Sequence, residues 1–132
     1  MGIAMDEVIS PADEQPRALF FALSDDGRTP KKLRSYFDWV HWEMMSFQDT
    51  SVSKSVVGGY HVSTVFWGIV EHRDQVFETM IFEGDRRDRN SYERELAVWH
   101  CGTWEEAERQ HQEALRWLDA ELEEAKTWNM LP

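Results

Sequence analysis

The stretch His61-Val62-Ser63-Thr64-Val65-Phe66-Trp67-Gly68-Ile69-Val70 decides the fold class of this chain. It is rich in β-branched and aromatic residues, which favour strands. Both faces of such a strand are mostly apolar, with Val62, Phe66 and Val70 on one face and Val65, Trp67 and Ile69 on the other. A strand that is apolar on both faces is usually covered on both sides or central in its sheet. The stretch therefore predicts the central strand of a sheet.

The flanking sequence supplies antiparallel neighbours for this strand. Gly58-Gly59 predicts a two-residue hairpin turn to a strand over 51–57, because glycine tolerates the positive φ of such a turn. Two later segments, 75–82 and 92–99, have strand composition and are separated by a polar loop. A short apolar run over 17–23, closed by Ser24-Asp25-Asp26-Gly27, predicts one more strand.

A first helix is predicted to begin at Thr29-Pro30. Threonine suits the N-cap and proline suits the first helical position. The apolar stripe predicted to face the core consists of Leu33, Tyr36, Phe37, Val40, Met44 and Phe47. Trp39 and Trp42 fall about 120° and 180° off this stripe, so the helix is apolar on more than one face.

A second helix begins at the capping-box sequence Thr103-Trp104-Glu105-Glu106. Its core-facing stripe has a clean 3.6-residue period and consists of Trp104, Ala107, His111, Leu115, Leu118, Leu122 and Ala125. Trp117 lies about 140° off the stripe. The other face is strongly acidic.

These elements predict an α/β (α+β) domain with about five mostly antiparallel strands and two helices, in the order β-α-β-β-β-β-α. Residues 1–16 are expected to be a flexible arm, 17–126 a single domain, and 127–132 a C-terminal tail. The predicted core consists of Phe37, Val40, Val65, Phe66, Ile69, Phe77, Ile81, Trp104, Leu115 and Leu118.

Composition and charge narrow the function classes. The 132 residues carry a net charge of −11, which argues against direct binding of nucleic acid or anionic membranes. The acidity serves either solubility or a negative surface shaped to occupy a basic partner. The single cysteine, Cys101, cannot form an internal disulfide and is expected to be a partly buried thiol. The chain shows neither signal-peptide features nor a membrane-length apolar run, which favours the cytoplasm.

Three residues are candidates for catalysis or for a ligand site: His72, Glu78 and His111. Two histidines and a carboxylate could hold a divalent metal with open positions. Glu78 is a carboxylate among apolar neighbours, which is unusual. As alternatives to a functional role, its face of the strand is partly open to solvent, or it forms a structural pair with an arginine. A lone histidine on an apolar stripe, such as His111, is more typical of a hydrogen-bonded core residue. No cofactor signature is present, and no cofactor is expected.

The loop over 84–91 concentrates the basic residues of the chain. Its arginines, Arg86, Arg87 and Arg89, form either a solvated hairpin tip or an anion-binding clamp.

Several segments together resemble a family of small uncharacterised proteins of bacteriophages and prophages, mainly of actinobacteria. The segments are Trp39-x-x-Trp42, Val62-Ser63-Thr64-Val65-Phe66-Trp67-Gly68 with His72, Phe77-Glu78-Thr79-Met80-Ile81-Phe82, and Thr103-Trp104-Glu105-Glu106-Ala107 with His111. The resemblance spans about Leu19 to Leu118. It implies a phage-type protein without an assigned activity. Glu71 replaces the usual aspartate, and the loop over 73–75 is shorter than in the family pattern, which weakens the case for a ligand site there.

The function favoured by the sequence is that of a small acidic accessory protein that binds another protein, for example to inhibit a host defence or regulatory factor. Aromatic anchors with a charged rim suit such an interface. The expected partner-binding residues are Trp39, Trp42, Trp117, Glu113, Glu121 and Glu124, and a homodimer is also expected. The alternatives are a small-ligand-binding protein or metal-dependent enzyme built on His72, Glu78 and His111, and a virion structural or assembly protein.

Overall fold

Antiparallel pairing divides the strands between two sheets. The computed structural model describes residues 18–46, 49–84 and 94–129. Its elements are β1 (Leu19–Leu23), β2 (Pro30–Leu33), α1 (Tyr36–Ser46), β3 (Ser51–Val57), β4 (Tyr60–Phe66), β5 (Ile69–Val70), a 3₁₀ turn (Arg73–Gln75), β6 (Phe77–Glu83), β7 (Arg94–Cys101) and α2 (Trp104–Asn129). One sheet has the order β2-β1-β5 and the other β3-β4-β6-β7. The predicted α+β class is confirmed.

The hairpin between β3 and β4 has the predicted two-residue turn. Val57 pairs with Tyr60 across Gly58-Gly59. The φ of Gly58 is +59°, a value that glycine adopts without strain. This hairpin places β4 inside the four-stranded sheet, between β3 and β6.

The segment predicted as one central strand is two strands in two different sheets. β4 ends at Phe66, and the chain crosses at Trp67-Gly68 to form β5 beside β1. At the crossing the Phe21 amide donates to the Gly68 carbonyl at 2.8 Å. A Cβ on residue 68 would overlap the Trp39 indole and approach the Phe21 carbonyl to 2.6 Å, so the crossing requires glycine. The close approach of backbone and indole explains why a strand of continuous β composition is interrupted.

The predicted start of the first helix at Thr29-Pro30 is wrong. The Asp26 carboxylate accepts hydrogen bonds from the Arg28 and Thr29 amides and from the Thr29 hydroxyl, which hold its pKa at about 2. Thr29 is thereby used in a turn, and Pro30 opens the edge strand β2, where its missing amide costs little. Ser35 is the residue that caps α1, since its hydroxyl accepts from the Asp38 amide at 3.2 Å.

The core face of α1 is the reverse of the predicted one. Trp42 packs edge-on against Phe66 with ring centroids 6.0 Å apart, and Trp39 lies over Gly68. The stripe predicted to be buried instead faces outward, with Phe37 79% and Met44 67% exposed. The inward orientation removes two large indole surfaces from water. Phe47 lies outside the described residues.

The helix α2 covers one face of the four-stranded sheet, as its stripe predicted. Ala107, His111, Ala114 and Leu118 are fully buried. The Thr103 hydroxyl accepts from the Glu106 amide at 3.1 Å and caps the helix. The helix continues to Asn129, although a C-terminal tail was predicted to begin at residue 127. Ala125, the last member of the predicted stripe, is exposed because the helix has passed the sheet there.

The core consists of two clusters that meet along β4 and β6. One is centred on Phe21, Phe66 and Phe77, and the other lies between α2 and the sheet. Of the predicted core residues, Phe66, Phe77, Ile81 and Leu118 are buried; Val40, Val65, Ile69, Trp104 and Leu115 are half-buried; Phe37 is exposed. Within the described ranges, no helix combines the length and the apolar character needed to cross a membrane.

Truncation of Phe66 to alanine should lower the free energy of unfolding by about 3–5 kcal/mol, because its ring contacts both Trp42 and Phe77 in the core. Chemical denaturation measures the loss. Phe37→Ala is the matched control and, in protein dilute enough to be monomeric, should change the stability by less than about 0.5 kcal/mol. Equal losses in the two variants would contradict the orientation of α1.

Candidate functional site

The three candidate catalytic residues do not come together. His72 is exposed at the start of the 3₁₀ turn, and His111 is buried on the sheet-facing side of α2. Glu78 lies on the opposite face of the sheet from His111, since the next residue, Thr79, belongs to the hydrogen-bonded cluster that contains His111. In residues 18–46, 49–84 and 94–129 no group of three or more histidine, cysteine or acidic side chains is placed to hold a metal ion. The predicted constellation is therefore wrong.

His111 is instead a structural link between α2 and two strands. Its Nε2 lies 2.8 Å from the Ser55 hydroxyl of β3, and its Nδ1 lies 2.8 Å from the Thr64 hydroxyl of β4. The Thr64 and Thr79 hydroxyls are 2.7 Å apart, and Gln110 donates to Thr79 at 3.1 Å. Burial, with a smaller contribution from His61, lowers the pKa of His111 below its ordinary value of 6.5. The interpretation of His111 as a hydrogen-bonded core residue is confirmed.

Glu78 occupies a partly open face of the sheet. Its side chain is 23% exposed, and its Oε2 lies 3.0 Å from His100 Nε2 on the neighbouring strand β7. The two residues are directly paired in the β6–β7 register, which explains the contact. The structural partner of Glu78 is thus a histidine rather than the arginine considered from the sequence.

A cavity of about 390 Å³ lies on this same face, between α1 and the sheet. We call it the α1 cavity. Its lining residues are Trp39, Trp42 and Glu43 of α1, Thr50 just before β3, Ser63, Val65 and Phe66 of β4, Trp67 and Gly68 of the crossing, Ile69 of β5, and Glu78, Met80 and Phe82 of β6. Trp39 and Trp42 therefore form a wall of this cavity, whereas they were predicted to bind a partner on the outer surface.

Two polar atoms at the α1 cavity are buried without a hydrogen-bond partner in the described part of the chain, the Ser63 hydroxyl and Trp39 Nε1. Trp39 Nε1 lies over the Gly68 backbone. Ser63 is 3% exposed and shares a face of β4 with Val65. A buried hydroxyl without a hydrogen-bond partner is uncommon in proteins, so Ser63 is a candidate ligand-binding group of the cavity.

A second candidate site runs along one side of α2. Glu113, Trp117, Glu121, Glu124 and Trp128 lie within about 80° of one another around the helix, and all are exposed. We call this set the acidic–aromatic face. The Trp117 ring packs edge-on against Trp99 of β7 at 5.7 Å and is held in place, whereas Trp128 is 68% exposed. Four of these residues were predicted from the sequence to bind a partner. The fifth, Trp128, could have been found from its spacing to Trp117, which places both on the same side of the helix.

The outer side of α1 forms a separate apolar surface. Phe37, Met44 and Met45 are each more than 60% exposed, and Tyr36 is 51% exposed. We call these residues, with the half-buried Val40, the α1 apolar face. Their exposure is the direct result of the inward orientation of Trp39 and Trp42.

Two further sequence predictions concern Cys101 and the arginine loop. Burial raises the pKa of the Cys101 thiol to about 11, so the thiol stays protonated at neutral pH. This fits the predicted structural cysteine. Arg86, Arg87 and Arg89 lie outside the described residues.

Comparison with models of protein families, with curated proteins and with solved structures gives no match for this chain. The candidate sites are therefore interpreted from their geometry and chemistry.

The stability of the protein should fall as the pH drops below about 6.5. His111 has a lower pKa in the folded state than in the unfolded chain, so the unfolded state takes up the proton first and gains stability relative to the folded state. The melting temperature at pH 5.5 should be lower than at pH 7.5, and His111→Asn should reduce this difference. This pH range lies well above the pKa of Asp26, about 2, whose contribution is lost only under more acidic conditions.

His41→Asn serves as the control, because His41 is exposed on α1. It should keep the pH dependence of the parent. A pH dependence that is unchanged in His111→Asn would contradict the assignment to His111.

Proposed function

We propose that this chain is a small acidic accessory protein of the phage type that acts by binding a basic surface of another protein, in the cytoplasm of a host cell. The observation that supports this function best is the acidic–aromatic face, where three carboxylates and two indoles are exposed along one side of α2. Aromatic anchors surrounded by charge are typical of specific protein interfaces.

Electrostatics favour a basic partner. The helix α2 carries eight acidic and three basic side chains, and the whole chain has a net charge of −11. A surface of one sign accelerates the encounter with a partner of the opposite sign and excludes partners of its own sign. Arginine and lysine side chains of the partner would pair with Glu113, Glu121 and Glu124 and lie on the faces of the two indoles.

The length of α2 makes its end accessible. Its 26 residues span about 39 Å, whereas the seven- and eight-residue strands beneath it span about 23–27 Å. Every side chain from Glu123 to Trp128 is exposed. The last turns of the helix can therefore enter a groove on a partner while the rest of α2 stays anchored on the sheet by His111 and Leu118.

The resemblance of several segments to phage and prophage proteins is consistent with this role. A negative surface of this shape can compete for a basic groove that normally holds nucleic acid. We propose that this binding inhibits a host defence or regulatory factor.

Reversing the charge of the acidic–aromatic face should abolish partner binding. Parent, Glu121→Lys/Glu124→Lys and Asp119→Lys/Glu123→Lys are used as baits in an actinobacterial lysate, and captured proteins are identified by mass spectrometry. The control pair changes the net charge equally but lies away from this face, about 160° (Asp119) and 120° (Glu123) around α2 from its centre. A basic protein that is held by parent and control, lost from the first variant and released by salt supports the proposal. Calorimetry with that protein purified then gives the change in affinity.

Capture of the same proteins by all three baits would contradict the proposal. So would a captured partner that is acidic or that remains bound at high salt, since screening weakens exposed charge pairs.

We further infer that the expected homodimer forms through the α1 apolar face and not through Trp39 and Trp42, which line the cavity. The carboxylates of α1, Asp38 and Glu43, lie about 100–120° around the helix from Phe37 and Met44, beside Met45 and Tyr36 at the two edges of this face. Two negatively charged copies can therefore meet there without opposing carboxylates at the centre. A two-fold axis across α1 would place the same apolar residues of both copies in contact.

Phe37→Glu should convert the dimer to a monomer without unfolding it, because the side chain is exposed in the single chain. Light scattering at micromolar concentration measures the mass of the parent and the variant. Trp128→Glu, on the acidic–aromatic face, is the control and should leave the dimer intact. A monomeric parent, or a dimer that persists in Phe37→Glu, would contradict this interface.

A further inference from the structure

The α1 cavity has the size and the walls of a small-molecule site. Its volume of about 390 Å³ lies in the range of sites that enclose small ligands. Val65, Met80 and Phe82 provide apolar walls from the sheet, and Trp39 and Trp42 close the cavity from α1. Methionine and aromatic side chains adapt their contacts to a planar or alkyl group. These walls favour a ligand with an apolar body.

The charged side chains among the described lining residues of the cavity are both acidic. Glu43 and Glu78 both line it, and none of the described lining residues is basic. His100 contacts the Glu78 carboxylate but is not among the lining residues. Anionic ligands would meet two carboxylates in a partly enclosed space, which is unfavourable. The electrostatics therefore favour a cation.

The aromatic residues select the kind of cation. The indoles of Trp39, Trp42 and Trp67 line the cavity together. Indole faces attract organic ammonium groups, whose weak hydration makes them easier to transfer from water than a metal ion. A site that combines tryptophan side chains with carboxylates suits an alkylammonium or arylammonium group.

Ser63 provides an independent observation that points to a ligand. Ser63 is a lining residue of the cavity and is 3% exposed, and its buried hydroxyl has no hydrogen-bond partner among the described residues. A hydroxyl both donates and accepts, so it would bond with a polar group carried by the ligand body. Such a bond would give the Ser63 hydroxyl the hydrogen-bond partner that it lacks among the described residues.

We propose that the α1 cavity binds a small organic cation, an ammonium group joined to a mainly apolar body that carries one polar group for the Ser63 hydroxyl. The ammonium group lies between the indoles and the Glu78 carboxylate, and the apolar body rests on Val65, Met80 and Phe82. This site is on the opposite face of the four-stranded sheet from α2. It is therefore independent of the acidic–aromatic face, and either proposal can fail alone.

The test compares benzyltrimethylammonium with neopentylbenzene, in which a carbon atom replaces the charged nitrogen. Binding to the intact protein is followed by NMR through the indole N–H resonances and by ligand-observed saturation transfer. The cation should bind at least about fivefold more tightly than its neutral isostere, the range expected from cation–π and carboxylate contacts. The indole resonances of Trp39 and Trp42 should shift, and that of Trp128 should not.

Glu78→Gln isolates the charge. It should weaken binding of the cation about fivefold or more and leave binding of the neutral isostere unchanged, which also shows that the cavity is still folded. Glu83→Gln on the same strand is the matched control, because Glu83 is exposed outside the cavity and pairs with Arg94 at 3.2 Å. It should bind both probes as the parent does. Ser63→Phe should fill the cavity and abolish binding of both probes.

Four results would each overturn the proposal. They are equal affinity of the cation and its isostere, equal weakening of the cation by Glu78→Gln and Glu83→Gln, binding that persists in Ser63→Phe, and the absence of indole shifts at millimolar cation.

Discussion

The hydrogen bonds of His111 are the constraint on which the arrangement of α2 and the larger sheet depends. The imidazole lies between a hydroxyl of β3 and a hydroxyl of β4, and Thr79 of β6 extends the cluster to a third strand. Apolar contacts alone would allow α2 to slide along the sheet, since Ala107, Ala114 and Leu118 are tolerant of small shifts. A buried imidazole with both nitrogens satisfied permits one position. The exposed side of α2, and with it the acidic–aromatic face, is oriented by this link.

The two faces of the four-stranded sheet have different roles because strand residues alternate between them. On β6, Thr79 and Ile81 face α2, whereas Glu78 and Met80 face α1. The α2 face is fully packed around His111. The opposite face has no helix of comparable length in the described part of the chain, and α1 covers only one end of it. The α1 cavity lies where this short helix and the sheet diverge.

Local sequence signals predicted much of the fold. Gly58-Gly59, the Thr103 cap and the periodicity of α2 each predicted one local backbone conformation. The structure has the predicted conformation in all three places. The first helix was harder because α1 is apolar on nearly all sides, so periodicity cannot select the buried face. The choice depends on the space beside Gly68, which admits an indole, and that space is created by residues distant in sequence. Thr29-Pro30 was misleading for a related reason, since Asp26 uses the Thr29 hydroxyl in a turn.

The candidate sites were predictable to different degrees. The spacing of Glu113, Trp117, Glu121 and Glu124 on one helix made their common face foreseeable from the sequence. His72, Glu78 and His111 come from three elements, and the alternation of β6 separates the last two by the thickness of the sheet. The α1 cavity could not be predicted, because it requires the orientation of α1 to be known first. Ser63 carried no signal of its own between Val62 and Thr64.

The crossing at Trp67-Gly68 has a consequence for the order in which the protein folds. The pairing of Leu19 with Val70 joins residues about fifty positions apart, whereas the hairpins β1–β2 and β3–β4 close over a few residues. Short loops close at a lower entropic cost than long ones. The two hairpins can therefore form early and independently, and we expect the β5–β1 pairing to follow them. Because one chain segment passes through both sheets, we expect that pairing to couple the stability of the two halves of the molecule.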